Sequence, residues 1–328
     1  MIRTFVFLLA SVTAAGAEEV YVGAYRQWNQ GSTIFEIGSR YPDITGVASG
    51  SRITYPRNFA TTGFLMSLYM GAFHAGVDVH HTGAGVRSGT GRDEDFVMSL
   101  NSRQKGSKIN VAEGKFRDNQ FVFSGGRNFA DSFGKTNLRE YGSRLSLNYF
   151  PGGKAEAVPR TRGWFLGAYG TYAYSKYVIY DSVQYNSPSL LNASLPFTLL
   201  PIGRGLSFTT IAFEIIPGAG FQLPLGEDYG FAVFAGPVLG FEESRDYHNL
   251  RGITFFMANA GAGFFYKAEL LARQEHFLIR LSASGHRRYS RGTIHARGLD
   301  PIYNLLPPQR MYLGTKEWTA RISVEYKI

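Results

Sequence analysis

The last eleven residues, Trp318 to Ile328, place the tightest constraint on how this chain can fold. Ile322, Val324, Tyr326 and Ile328 alternate with Arg321, Ser323, Glu325 and Lys327. Successive side chains of an extended strand point to opposite faces, so this strand has one apolar face and one charged face. Segments of the same kind recur at 20–38, 48–69, 72–90, 137–150, 163–180, 205–223, 229–243, 251–270, 275–292 and 315–328. Ten such strands, an even number, predict an all-β fold: a ten-stranded antiparallel transmembrane β-barrel. Closure would leave no strand edge open to aggregation or to lipid.

Composition agrees with a barrel and excludes several alternatives. No stretch approaches the roughly 18 consecutive apolar residues of a membrane helix, and the mean hydropathy is −0.13. A barrel wall, alternating between lipid and lumen, has that bland average. The chain holds 39 Gly, 20 Tyr and 26 Phe and no Cys, so it has no disulfide, thiolate ligand or thiol nucleophile. Residues 1–17 read as a signal peptide: Arg3 supplies the positive start, Phe5 to Ala10 the apolar core, and Ala15-Gly16-Ala17 the cleavage site. The remaining 18–328 form one domain. A net charge of +9 calls for a polyanionic neighbour. For an exported chain without a nucleic-acid motif, that neighbour is expected to be lipopolysaccharide phosphate rather than nucleic acid.

Two spacings carry chemistry. Asp93-Glu94-Asp95 and Asp246-Tyr247-His248 each set two proton-handling side chains one residue apart. Strand counting places the first pair just beyond the third strand and the second just beyond the seventh. The short connections at 224–228 and 272–274 then lie in the periplasm, while those at 91–136, 181–204, 244–250 and 293–314 lie outside. Both pairs therefore belong to the outer rim. In the seventh strand Phe231, Val233, Leu239 and Phe241 share the odd, lipid-facing register, so the even register carries Asp246 and His248 into the mouth. Asp246 is suited to orienting His248 and stabilising its charged form, while His248 takes a proton from water. Adjacent Asp93 and Asp95 would share a proton. Arg280, Arg321, Glu325 and Lys327 are expected to fill the lumen.

Asp78-Val79-His80-His81, with His74 upstream, is a rival cluster with metal-ligating residue types, but it reads as lumen or rim. Gly83-x-Gly85 and Gly261-x-Gly263 lack the strand–turn–helix context and the Lys-Ser/Thr of a phosphate loop. No cofactor or metal is expected.

The chain resembles the omptins, ten-stranded outer-membrane proteases whose active site joins an Asp-x-Asp-Trp pair to an Asp-x-His pair. Gly91-Arg92-Asp93-Glu94-Asp95-Phe96 is similar to the first motif, Arg245-Asp246-Tyr247-His248 to the second, and Gly163–Tyr177 to the family's fifth strand. The resemblance implies an endopeptidase that acts on polypeptide substrates through an activated water. Its catalytic residues would be Asp93, Asp95, Asp246 and His248, and lipopolysaccharide would be an activating lipid. Tyr172, Tyr174 and Lys176 stand where that family binds lipopolysaccharide. Arg287, Arg288 and Arg291 form a second basic cluster near the outer end of the ninth strand.

Departures are also plain. Phe96 replaces the Trp, and Ser244 stands where omptins that cut beside basic residues carry an acid; Gly31 or Ser32 falls where they carry another, with Glu36 nearby. The alternative reading is a non-catalytic outer-membrane barrel, either a narrow porin or a lipopolysaccharide-binding structural protein. A monomer is expected in both cases.

Overall fold

The computed structural model describes residues 18–38, 47–82, 86–87, 96–104, 115–117, 120–122, 128–186, 204–248, 253–298, 301–304 and 308–328. Ten strands form its wall: β1 Glu19–Gly38, β2 Phe59–Met70, β3 Phe73–His81, β4 Asn128–Tyr149, β5 Gly163–Asn186, β6 Arg204–Pro224, β7 Tyr229–His248, β8 Ile253–Gln274, β9 Phe277–Gly298 and β10 Gln309–Lys327. Each pairs antiparallel with the next, and β10 pairs back onto β1 from Tyr21↔Lys327 to Ile37↔Met311. The sheet is closed, so its backbone donors and acceptors find partners without water.

The outer face is the membrane surface. Leu145, Leu147, Leu166, Ile215, Leu239, Leu270 and Leu281 are exposed there. Near the short-turn end it carries Phe73, Tyr149, Trp164, Tyr229, Phe277 and Tyr326, and further up Trp28, Tyr141, Phe213, Tyr289 and Trp318. An apolar band between two aromatic girdles is the wall of a transmembrane barrel. The closing strand follows its alternation: Ile322, Val324, Tyr326 and Ile328 are exposed, whereas Ser323 and Glu325 are buried inside.

Several strands run further than the sequence suggests. The expected strand at 48–69 breaks at Pro56, which has no N–H for the ladder. A separate strand, Val47–Pro56, precedes the break and pairs with upper β1 and with Phe96–Gln104, which joins upper β4. The expected strand at 72–90 ends at His81, and β4 begins at Asn128 rather than near 137. Most consequential, β7 does not end at 243. It pairs with β6 through Leu206↔His248 and with β8 through His248↔Ile253, so Asp246 and His248 belong to the strand instead of a loop beyond it. Partners on both sides hold this stretch extended, which a single-strand pattern cannot reveal.

The short-turn end is stoppered. The connection 150–162 folds inward, burying Ala155, Ala157 and Val158 against Tyr21, Tyr69, Phe165 and Phe234. The Ala155 N–H donates to Gly71 O at 2.7 Å, and Gly152 takes a left-handed conformation (φ 73°) that turns the chain inward. Pro159 rests on Gly230, where a side chain would overlap its ring. Gly230→Leu is therefore expected to destabilise the barrel by about 1–3 kcal/mol through overpacking. Urea unfolding in detergent measures this, and an unchanged midpoint would contradict the packing.

Candidate functional site

Period-two alternation sends the charged residues of the wall inward, where they neutralise one another in tiers. Lowest, Arg280 donates to Glu325 (3.0 and 3.3 Å), and Lys267 lies 2.7 Å from Glu269. Above them, Arg321 donates to Asp78 at 3.1 Å, and the Tyr25 hydroxyl donates to the other Asp78 oxygen at 3.1 Å. Next come two clusters. Arg57 binds Glu140 (2.9 Å) and Glu317, with His80 3.6 Å from Glu140. Arg288 binds Glu214 (2.6 Å) and Glu242, with His286 3.2 Å from Glu214. These clusters border a cavity of about 140 Å³, and a second of about 90 Å³ lies below the Asp78–Arg321 tier.

An aromatic layer closes the top of this polar lumen. Phe35, Tyr55, Tyr177 and Phe208 pack together, with Tyr55 stacked on Phe208 at 4.7 Å and Phe35 edge-on to Phe208 at 4.5 Å. Asp246 emerges beside it. Asp246 is 3% exposed and faces inward, as strand parity requires. Burial first, and the Asp246 carboxylate second, push the Tyr55 phenol well above its ordinary pKa.

The sequence-derived residues fall into three groups. Asp246 faces inward as its parity predicts, but it lies within β7 rather than beyond it. Asp93 and Asp95 lie outside the described residues, as does the His248 side chain; the His248 backbone lies in β7, two residues from Asp246. Among the described residues, no catalytic set comes together and no cluster of metal-ligating side chains occurs. The Asp78–His81 run does not converge. Asp78 and His80 join different lumenal networks, His81 is exposed on the outer wall, and His74 stacks on Tyr69 at 4.7 Å.

The expected lipopolysaccharide residues divide by parity. Tyr172 and Lys176 share the outward register of β5, and Tyr174 stacks on Tyr141 at 4.5 Å. Arg287 and Arg291 are exposed, lying over the rings of Tyr289 (4.9 Å) and Tyr312 (5.8 Å). Arg288 is corrected: it is 2% exposed and turns into the lumen, because an even residue between odd neighbours faces the opposite side. Sequence reasoning also missed Arg57, Glu140, Glu214, Glu242 and Glu317. Their inward parity was available, but not their pairing across the lumen.

Truncating one member of a buried ion cluster leaves the others uncompensated. Arg288→Met is expected to cost about 3–5 kcal/mol by stranding Glu214 and Glu242. The triple change with Glu214→Gln and Glu242→Gln is expected to restore most of it. Chemical unfolding of both variants checks the pairing; equal loss in single and triple variants would count against it.

Comparison with curated proteins gives no match. Among solved structures, the chain is similar to the outer membrane protease OmpT of Escherichia coli, with a TM-score of 0.64 and 10% identity over 95% of this chain and 97% of that one. At that identity the likeness is one of fold. Weaker likenesses include the outer membrane protein OprG of Pseudomonas aeruginosa (TM-score 0.32, 9% identity, 95% and 97% covered). Another is the translocator domain of the autotransporter NalP of Neisseria meningitidis (TM-score 0.33, 8% identity, 99% and 95% covered). Residues 40–321 match the profile of a family described as putative porin. With its closed sheet and lipid-facing wall, this chain is an outer-membrane β-barrel and belongs to the putative porin family.

Proposed function

We propose that this barrel is an outer-membrane endopeptidase working at its extracellular mouth. The observation that carries the reading is Asp246: a carboxylate held inward at the outer end of the barrel, two residues from His248 on the same strand. In this reading Asp246 orients the imidazole of His248 and stabilises its protonated form, and His248 takes a proton from a water molecule. The resulting hydroxide attacks the substrate carbonyl carbon, and the proton passes to the leaving amine as the C–N bond breaks. In the same reading Asp93 and Asp95 serve as the second acidic pair, sharing a proton and holding the water and the carbonyl. Outward Tyr172, Lys176, Arg287 and Arg291 are assigned to lipopolysaccharide at the rim.

The lumen supports a surface reaction over wide permeation. Ionic tiers, the aromatic layer and the inward turn fill the described interior, which leaves the mouth as the place where a polypeptide can bind. A second reading, a narrow pore, is favoured by the family description and by the two polar cavities. Conductance across planar bilayers tests it directly.

Digestion of a peptide library by protein refolded with lipopolysaccharide tests the protease reading. His248→Ala and Asp93→Asn are each expected to lower kcat/KM by about 10²–10⁴-fold, with the barrel still folded. Equal activity in all three proteins, or none in a well-folded wild type, would end the proposal. Ser244 donates to Glu242 at 3.1 Å, and Glu242 is paired with Arg288, so this position offers little to a basic side chain. Ser244→Asp is expected to shift cleavage toward Arg and Lys by roughly tenfold, the scale of one new charge-assisted contact. An unchanged cleavage pattern would remove Ser244 from the pocket.

A further inference from the structure

One row of the lipid-facing wall does not suit a plain hydrocarbon contact. Arg26 of β1 lies opposite Thr62 of β2, Thr62 opposite His81 of β3, and His81 opposite Tyr141 of β4. All four are exposed on the outer face. Opposed residues in a ladder stand about 5 Å apart at Cβ, so the first three make a compact donor set of one guanidinium, one hydroxyl and one imidazole. Among the described side chains, no carboxylate shares the outer face of β10, β1, β2, β3 or β4 with Arg26.

The height of the row matters. β1 rises from the short-turn end, and Arg26 is seven residues above Glu19, roughly 18 Å up a tilted strand. That is the upper part of an apolar band about 25 Å tall. The guanidinium lies 5.7 Å from the ring centre of Trp28, the next outward residue toward the rim, so its charge is turned toward the outer headgroups. A lipid-facing charge at this depth is costly and calls for a partner. A shallow, open groove of about 440 Å³ is lined by Arg26, Thr62 and His81, with Ile322 opposite Arg26 and Ala24, Phe64 and Val324 below. Its polar end points to the outer surface and its apolar end to the bilayer centre, matching the direction of an outer-leaflet lipid.

We propose that Arg26, Thr62 and His81 hold the phosphate of an outer-leaflet lipid whose acyl chain lies in the groove beneath them. The site is separate from the rim residues on β5 and β9 and does not depend on the barrel being a peptidase. Arg26 supplies the charge and two parallel donors, Thr62 and His81 complete the contact, and Phe64, Ile322 and Val324 line the chain's path.

The test uses full-length mature barrel refolded in phosphate-free detergent, with bound lipid counted by native mass spectrometry. Lipopolysaccharide, its enzymatically dephosphorylated form and inorganic phosphate are the probes. Wild type is expected to hold one more lipopolysaccharide than the Arg26→Gln/His81→Gln double variant, whose apparent affinity at this site falls at least tenfold. Arg26→Lys is expected to keep most of the binding. Phe64→Trp, which fills the groove and leaves the charges in place, is expected to lose it. Heat-modifiable gel mobility confirms that each variant is folded. Equal stoichiometry and affinity in wild type and double variant would overturn the site. Equal binding of the dephosphorylated lipid would overturn the phosphate contact, and displacement by stoichiometric inorganic phosphate would overturn the lipid assignment.

Discussion

Closure of the sheet is the constraint on which the rest of this structure depends. Inside a bilayer an unpaired backbone N–H or C=O has no water to turn to, so a spanning sheet must bond its last strand to its first. Here β10 meets β1 along nearly its full length, and the wall extends above the membrane as paired strands. Once the cylinder is closed, alternation permits only two environments. Leu, Ile and aromatic side chains on one parity meet lipid, and everything on the other parity must be accommodated in a narrow interior.

The interior is accommodated by charge. Arg57, Arg280, Arg288 and Arg321 each face carboxylates, and Ser175, Thr210, Ser244 and Tyr25 supply hydrogen bonds around them. Such clusters contribute little net stability compared with an apolar filling, because desolvation offsets the attraction. Their effect is to leave small polar cavities between fixed tiers, capped by rings above and by the inward turn below. The described interior is thereby largely occupied, and Asp246 faces inward at the outer end of β7.

Much of this was legible before the structure. The strand count, the even number, the parity of Phe231 to Phe241 and the inward placement of Arg321, Glu325 and Asp246 all follow from period-two patterning. Failures came where the deciding information lies on another strand. Pro56 ends a strand because of its missing N–H, which was visible, yet the strand that continues above it pairs through distant partners. The polar run Glu242–His248 resembles a loop until β6 and β8 are seen on either side, so the pattern alone puts Asp246 beyond its strand. Proximity in sequence groups Arg288 with Arg287 and Arg291, although its own parity points to the lumen.

By itself, the sequence determined the class of the fold, which face of each strand is apolar and which polar residues share a face, because backbone geometry fixes alternation locally. It also marked the two acid-containing pairs and their departures at Phe96 and Ser244. Only the tertiary structure decided which charges meet: Arg57 with Glu140 and Glu317, Arg288 with Glu214 and Glu242, Arg26 beside Thr62 and His81. Those encounters depend on register between strands far apart in the chain. Register is set by the closed sheet as a whole and by no single segment.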